Sequence, residues 1–370
     1  MIVVAGAGQL DAVGKAAREL GMSRVLVVAD PGIVAAGLAA RAVVALEASG
    51  IVTRLFHEFG PNPDTNMVEA GRTCAAQHTA DGIVAIGGGS SLDCAKGINF
   101  VLSNGGSMRD YRGHGKATKP MLASIGVPTT AGTGSEAQSF AIISDAETHA
   151  KMACGDEKAM FRVVILDPTL TVTQPRAVAA TAGYDAISHA VEAYVTKTRT
   201  SESQALALAA WRLLEPNYER ALRRPRDLAA REAMLTGANR AGAAIELSML
   251  GATHACANPL TAKYGTTHGV AIAVMLPHVV RWNAEAVGEL YRELWPSGDL
   301  AERLDRLARA GGLPRTLHEL GTSRDDLDGL AADAATQWTG QHNPRPFDAK
   351  AARELYERAL SPAEDSGVRS

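Results

Sequence analysis

Through residue 168 this chain alternates short apolar runs with helical stretches, and after Asp167-Pro168 long helical periodicity takes over with almost no β-branched runs. Few architectures accept both halves of that pattern. Residues 25–29 (VLVVA) read as a buried strand closed by a turn at Asp30-Pro31-Gly32. Residues 33–49 read as an Ala-rich amphipathic helix ending at Ser49-Gly50, and 51–56 alternate like a strand. A helix over 66–78, a strand over 82–86, a helix over 91–101, and strands over 121–127 and 163–166 continue the series, with a Gly-rich surface loop over 104–119. Strands separated by helices of this length need crossover connections, which make a mainly parallel sheet. From Thr173 the spacing turns helical, over 176–198, 201–214, 226–250, 298–311 and 348–360, and the last ten residues, SPAEDSGVRS, read as a loose tail. The expected organisation is an α/β domain over 1–172 followed by an all-α domain over 173–370. Clefts between domains are favoured ligand sites.

Composition narrows the function classes. With 370 residues, 46% hydrophobic and 21% charged, the chain has apolar surface enough for two ordered domains, which excludes a disordered protein. A net charge of −3 and 5% aromatics provide neither the basic field nor the stacking surface that nucleic acid requires. Cys74, Cys94, Cys154 and Cys256 include no Cys-x-x-Cys pair, so a reducing compartment fits better than a disulfide framework. The apolar start lacks a preceding positive charge and runs into Gln9, Asp11 and Lys15, unlike a signal peptide. No apolar run nears the ~20 residues that span a bilayer. A cytoplasmic protein with no membrane partner is expected.

Two segments suit a polar ligand, the first of them a phosphate. Gly87-Gly88-Gly89-Ser90 follows an expected strand and opens an expected helix, where glycines allow close backbone approach and unpaired N–H groups face an anion. A tight turn that binds nothing is the alternative. Pro128 to Ser135 (PTTAGTGS) follows another strand with hydroxyls and glycines suited to a polar ligand, or to a capped loop. Gly6-Ala7-Gly8 lacks the third glycine of a dinucleotide fingerprint. Asp30, ending a strand, either reads a ribose hydroxyl or caps the turn before Pro31.

In the second half, Asp185 and His189 stand at i and i+4 and share a helix face. His254 and His268 follow in a helical region. One carboxylate and three imidazoles suit Fe²⁺ or Zn²⁺, although a lone His in an Ala-rich helix is often a core residue. His278 reads as structural, and His57, His78, His114, His149, His318 and His342 lack comparable context.

Taken together, AIGGGSSLDCAKG (85–97), VPTTAGTGSEAQSFAIISD (127–145), LDPTLT (166–171), GYDAISHAVEAY (183–194), HGVAIAVMLPHVVRWN (268–283) and NPRP (343–346) resemble the iron-containing (group III) alcohol dehydrogenases over nearly the whole chain. The resemblance implies the dehydroquinate synthase-like fold, with an N-terminal dinucleotide-binding α/β domain and a C-terminal helical domain. It implies Asp185, His189, His254 and His268 as ligands of Fe²⁺ or Zn²⁺. For the cofactor it implies Gly88, Gly89 and Ser90 with Asp93 at the diphosphate, Thr129, Thr130 and Thr133 in a second loop, and Asn62 and Lys151 as further contacts. Asp30 falls where a carboxylate favours NAD over NADP, with NADP the alternative. Phe140 falls at a substrate-pocket position facing the nicotinamide. Asn258 departs from the common pattern, which has a titrating His four residues after the third ligand.

The implied activity is metal-dependent, NAD(P)(H)-linked interconversion of a small alcohol and its aldehyde or ketone, in a homodimer. The runner-up within the family is a maleylacetate reductase. From another class with this fold comes a metal- and NAD-dependent lyase of the dehydroquinate synthase type.

Overall fold

The computed structural model describes residues 1–360, so the tail expected over 361–370 lies outside the described residues. Six strands form a wholly parallel sheet: β1 (Ile2–Ala5), β2 (Arg24–Val28), β3 (Val52–Phe56), β4 (Gly82–Gly87), β6 (Ala123–Pro128) and β9 (Val163–Leu166), in the order β1-β9-β6-β4-β2-β3. The period-two alternation of strands divides their apolar side chains between two cores. Leu26, Val28, Ile83, Ala85, Val164 and Leu166 face one core, and Val25, Val27, Val84, Ile86, Ile125 and Ile165 face the other. Helices α1 (Val13–Glu19) and α3 (Leu38–Glu47) supply the second core, and α4 (Thr65–His78) and α5 (Gly89–Asn104) the first.

A parallel α/β unit followed by helices is what the sequence predicts, with local differences. The helix expected over 33–49 is broken: α2 (Pro31–Ala35) ends before Gly37, whose φ of +75° no continuing helix accepts. The loop expected over 104–119 contains a 3₁₀ turn over Met108–Tyr111 and a short strand, β5 (Gly113–His114). That strand joins β8 (Lys151–Gly155) and β7 (Phe140–Ser144) in a second sheet of order β5-β8-β7.

The helical part contains α6 (Arg176–Val195), α7 (Ser201–Arg223), α8 (Leu228–Ser248), α9 (Ala252–Tyr264), α10 (His268–Leu294), α11 (Leu300–Gly311), α12 (Leu327–Ala335) and α13 (Ala349–Leu360). From Gly183 to Val195 every α6 side chain or backbone position is buried, so α6 is the core helix here. Buried tyrosines tie its neighbours through main-chain carbonyls: Tyr184 donates to Leu304 O (3.2 Å), Tyr218 to Ala180 O (2.9 Å) and Tyr356 to Cys256 O (2.7 Å). By backbone proximity the chain forms two compact units, Met1–Gln174 with Pro225–Gly242, and Pro175–Arg224 with Ala243 onward. The four cysteines are free, and no helix among the described residues is long and apolar enough to cross a membrane.

Candidate active site

In the first unit the sheet order reverses direction beside β2, with β3 on one side and β4 on the other. In open parallel sheets, ligands bind outside the carboxyl ends of strands at such a switch point. Asp30 follows β2, the glycine segment follows β4, and Thr129 follows β6, so the three cofactor candidates lie at the carboxyl ends of adjacent strands. Thr129 N donates to Gly87 O (2.9 Å), which joins two of these loops. The glycines keep the cradle open. A Cβ on Gly89 would stand 2.9 Å from Thr133 Cγ2, and one on Gly88 3.4 Å from Thr130. Asn62 N donates to Ser90 Oγ (3.3 Å).

Asp30 serves the capping role. Its Oδ1 accepts from Gly32 N (2.9 Å) and Ile33 N (3.1 Å), capping α2, while its Oδ2 accepts from Ser91 Oγ (2.9 Å). Beneath the loops, Ser135 Oγ donates to Asp93 Oδ1 (2.5 Å), and the buried Lys96 ammonium donates to Ser135 O (2.6 Å) and Phe140 O (2.7 Å). Lys151, at the start of β8, adds a positive charge that acts on Asp93. Phe140 packs against His114 with the rings tilted 42° and their centroids 5.5 Å apart. Gly6-Ala7-Gly8 is tied down instead: Gly8 N donates to Asp167 Oδ1 (3.1 Å) and Leu10 N to Oδ2 (3.1 Å).

In the second unit, α6 presents Asp185 and His189, α9 His254 in its first turn, and α10 His268 as its first residue. The Nε2 atoms of His189, His254 and His268 lie 3.5, 3.7 and 3.8 Å from Asp185 Oδ1. These separations exceed hydrogen bonds. Four ligands about 2.0–2.2 Å from a central ion, tetrahedrally placed, are themselves about 3.3–3.6 Å apart. Asp185 Oδ1 and His254 Nε2 are buried without a hydrogen-bond partner, a costly state for polar atoms unless an ion completes them. The donor set therefore fits a divalent ion. His268 is the most exposed of the four, at 31%.

Charge points the same way. Burial alone would raise the Asp185 pKa, but His189 and the other two imidazoles outweigh it and hold the carboxyl below its usual range. For His254 burial lowers the pKa, while Asp185 and Glu192 together push it up to about 9. Two buried carboxylates among imidazoles favour a cation at this place.

Glu192 was not among the residues singled out from sequence. It stands seven after Asp185 and three after His189, on the same α6 face, and that i, i+4, i+7 spacing was the available signal. Asn258, one turn beyond His254, donates its amide to Gln337 Oε1 (3.1 Å).

Known proteins provide independent findings. A family model described as iron-containing alcohol dehydrogenase matches residues 2–168, and the C-terminal model of the Fe-containing alcohol dehydrogenase family matches residues 179–360. An NAD-dependent methanol dehydrogenase of Bacillus methanolicus is 33% identical, over 96% of this chain and 97% of its own. The crystal structure of a 1,3-propanediol oxidoreductase superposes with a TM-score of 0.94 at 32% identity, covering 97% of this chain and 98% of that one. A sulfoacetaldehyde reductase from Bifidobacterium kashiwanohense, solved in complex with NAD⁺, superposes with a TM-score of 0.91 at 27% identity, covering 98% of both chains.

Proposed function

This chain belongs to the iron-containing alcohol dehydrogenase family, and from that premise we propose that it interconverts a small alcohol and its aldehyde or ketone, with Asp185, His189, His254 and His268 holding a divalent ion, Fe²⁺ or Zn²⁺. The observation that carries the reading is the convergence of three imidazole Nε2 atoms within 3.8 Å of one buried carboxylate oxygen. When bound, the ion supplies Lewis acidity at the substrate oxygen and NAD(H) accepts or gives the hydride.

The chain's own residues bind and orient. Gly88, Gly89 and Ser90 receive the diphosphate at the N-terminus of α5, where backbone N–H groups and the helix dipole favour an anion. Asp93, Thr129, Thr130, Thr133, Asn62 and Lys151 complete the cofactor contacts. Asp30 accepts from the adenine ribose hydroxyls and repels a 2′-phosphate, which favours NAD over NADP. Phe140 contributes an apolar wall toward the nicotinamide. Asn258 hydrogen-bonds substrate or water and, having no titrating group, leaves protons to move through water and ribose hydroxyls. In this reading residues 1–172 form the dinucleotide-binding domain and 173–370 the metal and substrate domain.

The assembly we propose is a homodimer in the cytoplasm. Among the described strands β1 pairs only with β9, and its Ile2 and Val3 side chains are 64% and 44% exposed. An open apolar strand edge is a template for a second chain.

The test is a screen of small alcohols and aldehydes against NADH and NADPH, with Fe²⁺ and Zn²⁺ each supplied. Steady NADH consumption with an aldehyde is expected. Turnover of a substrate with no net change in NADH would indicate a lyase, and activity on a conjugated carbon–carbon double bond alone would indicate a maleylacetate reductase.

A further inference from the structure

The start of α9 has to keep its N–H groups satisfied while presenting His254 to the ligand cluster. Its first N–H groups meet buried acceptors instead of water. Gly251 N donates to Glu192 Oε2 (3.1 Å), Ala252 N to Asn343 Oδ1 (3.2 Å) and Thr253 N to Glu192 Oε1 (2.7 Å). Asn343 is locked in turn by a reciprocal amide pair with Asn283, at 2.9 and 3.0 Å. One further contact does not belong to the helix start: Glu192 Oε2 lies 2.6 Å from His254 Nδ1. The ring nitrogen beyond it, Nε2, is the atom that faces Asp185.

A carboxylate on Nδ1 fixes the proton there, so the lone pair stays on Nε2, and it holds the ring plane while making the imidazole a stronger donor. Glu192 reaches this place because it shares one face of α6 with Asp185 and His189. That face therefore provides two candidate ligands together with the group that orients a third. We propose that Glu192 is a positioning residue for the metal, holding His254 in its Nδ1–H tautomer and tightening the site, separately from its part in closing the start of α9. The proposal rests on the reading that Asp185, His189, His254 and His268 bind a divalent ion.

The experiment measures Zn²⁺ affinity by chelator competition in the wild type, Glu192→Gln and Asn343→Ala, with the melting temperature of each metal-free protein alongside. Asn343→Ala removes a neighbouring α9 hydrogen bond but leaves the carboxylate on His254. Glu192→Gln should weaken Zn²⁺ binding by about 10–100-fold. Asn343→Ala should melt lower and stay within about 3-fold of wild-type affinity, well inside that range. Wild-type affinity in Glu192→Gln overturns the proposal, and so does an equal loss in Asn343→Ala, which would trace the effect to the helix start. A wild type that takes up no Zn²⁺ defeats the metal reading and this proposal with it, whereas a binding wild type with an unaffected Glu192→Gln defeats this proposal alone. Should Glu192→Gln not fold, ¹⁵N-histidine NMR of the Zn²⁺-loaded wild type decides. A protonated, slowly exchanging His254 Nδ1 supports the proposal, and an unprotonated one overturns it.

Discussion

Each carboxylate oxygen of Asp30 already has a donor within the protein, so any cofactor it reads meets a side chain fixed in place by α2 on one side and Ser91 on the other. That rigidity is what makes a like charge there expensive to accommodate. We predict that the wild type prefers NADH to NADPH and that Asp30→Gly narrows the preference by roughly 10–100-fold. Gly is the right replacement because, at an N-cap, it costs only a few tenths of a kcal/mol relative to Asp. Equal use of both cofactors by the wild type would contradict the assignment. Asn258 supports a second prediction. Its amide is engaged with Gln337 and does not titrate. Asn258→His should add an ionisation to the pH–rate profile for aldehyde reduction, near the ordinary imidazole range, without a large gain in rate. A gain of about 10² or more, the usual worth of side-chain acid–base assistance, would show that a proton relay is missing here.

At the scale of elements, the 128–135 loop, proposed above as a cofactor contact, is held by the Pro225–Gly242 stretch that packs with the sheet unit. Gly134 has a φ of +63°, and a Cβ there would stand 2.6 Å from Gly242 Cα, while Asn239 donates to the buried Glu136 (3.2 Å). Gly134→Ala is expected to destabilise the protein by about 1–3 kcal/mol and to raise KM for NADH. Unchanged unfolding and KM would show that the loop is not anchored through this crossing. The alternation of runs such as VLVVA and GIVAI made the parallel sheet legible, because buried parallel strands read as continuous apolar segments. The β7–β8 hairpin was not legible: its connection, from Asp145 to Ala150, carries no two-residue Asn-Gly or Asp-Gly turn. Nor did helical periodicity show that Pro225–Gly242 returns to the sheet unit, since a helix packs by its apolar face whichever partner it meets. In the site, the i, i+4 pair Asp185 and His189 was readable from spacing. Bringing His254 and His268 to it depends on contacts far apart in sequence, and Glu192 looked like one more polar residue on an Ala-rich helix.

For the whole molecule, the open edge of β1 predicts association. The wild type should elute as a dimer, and Ile2→Lys with Val3→Lys should shift it toward monomer by placing charge on an exposed apolar strand. A monomeric wild type, or a variant that stays dimeric, would remove β1 from the interface. The central claim is that a divalent ion at Asp185, His189, His254 and His268 is required for alcohol–carbonyl chemistry. Its most direct test is the rate of NADH oxidation by one good small aldehyde, measured on metal-stripped wild type before and after adding one equivalent of Fe²⁺ or Zn²⁺. We predict that stripping lowers the rate by about 10² or more, with the fold unchanged, and that one equivalent restores it. A full rate in protein shown to contain no metal would contradict the account.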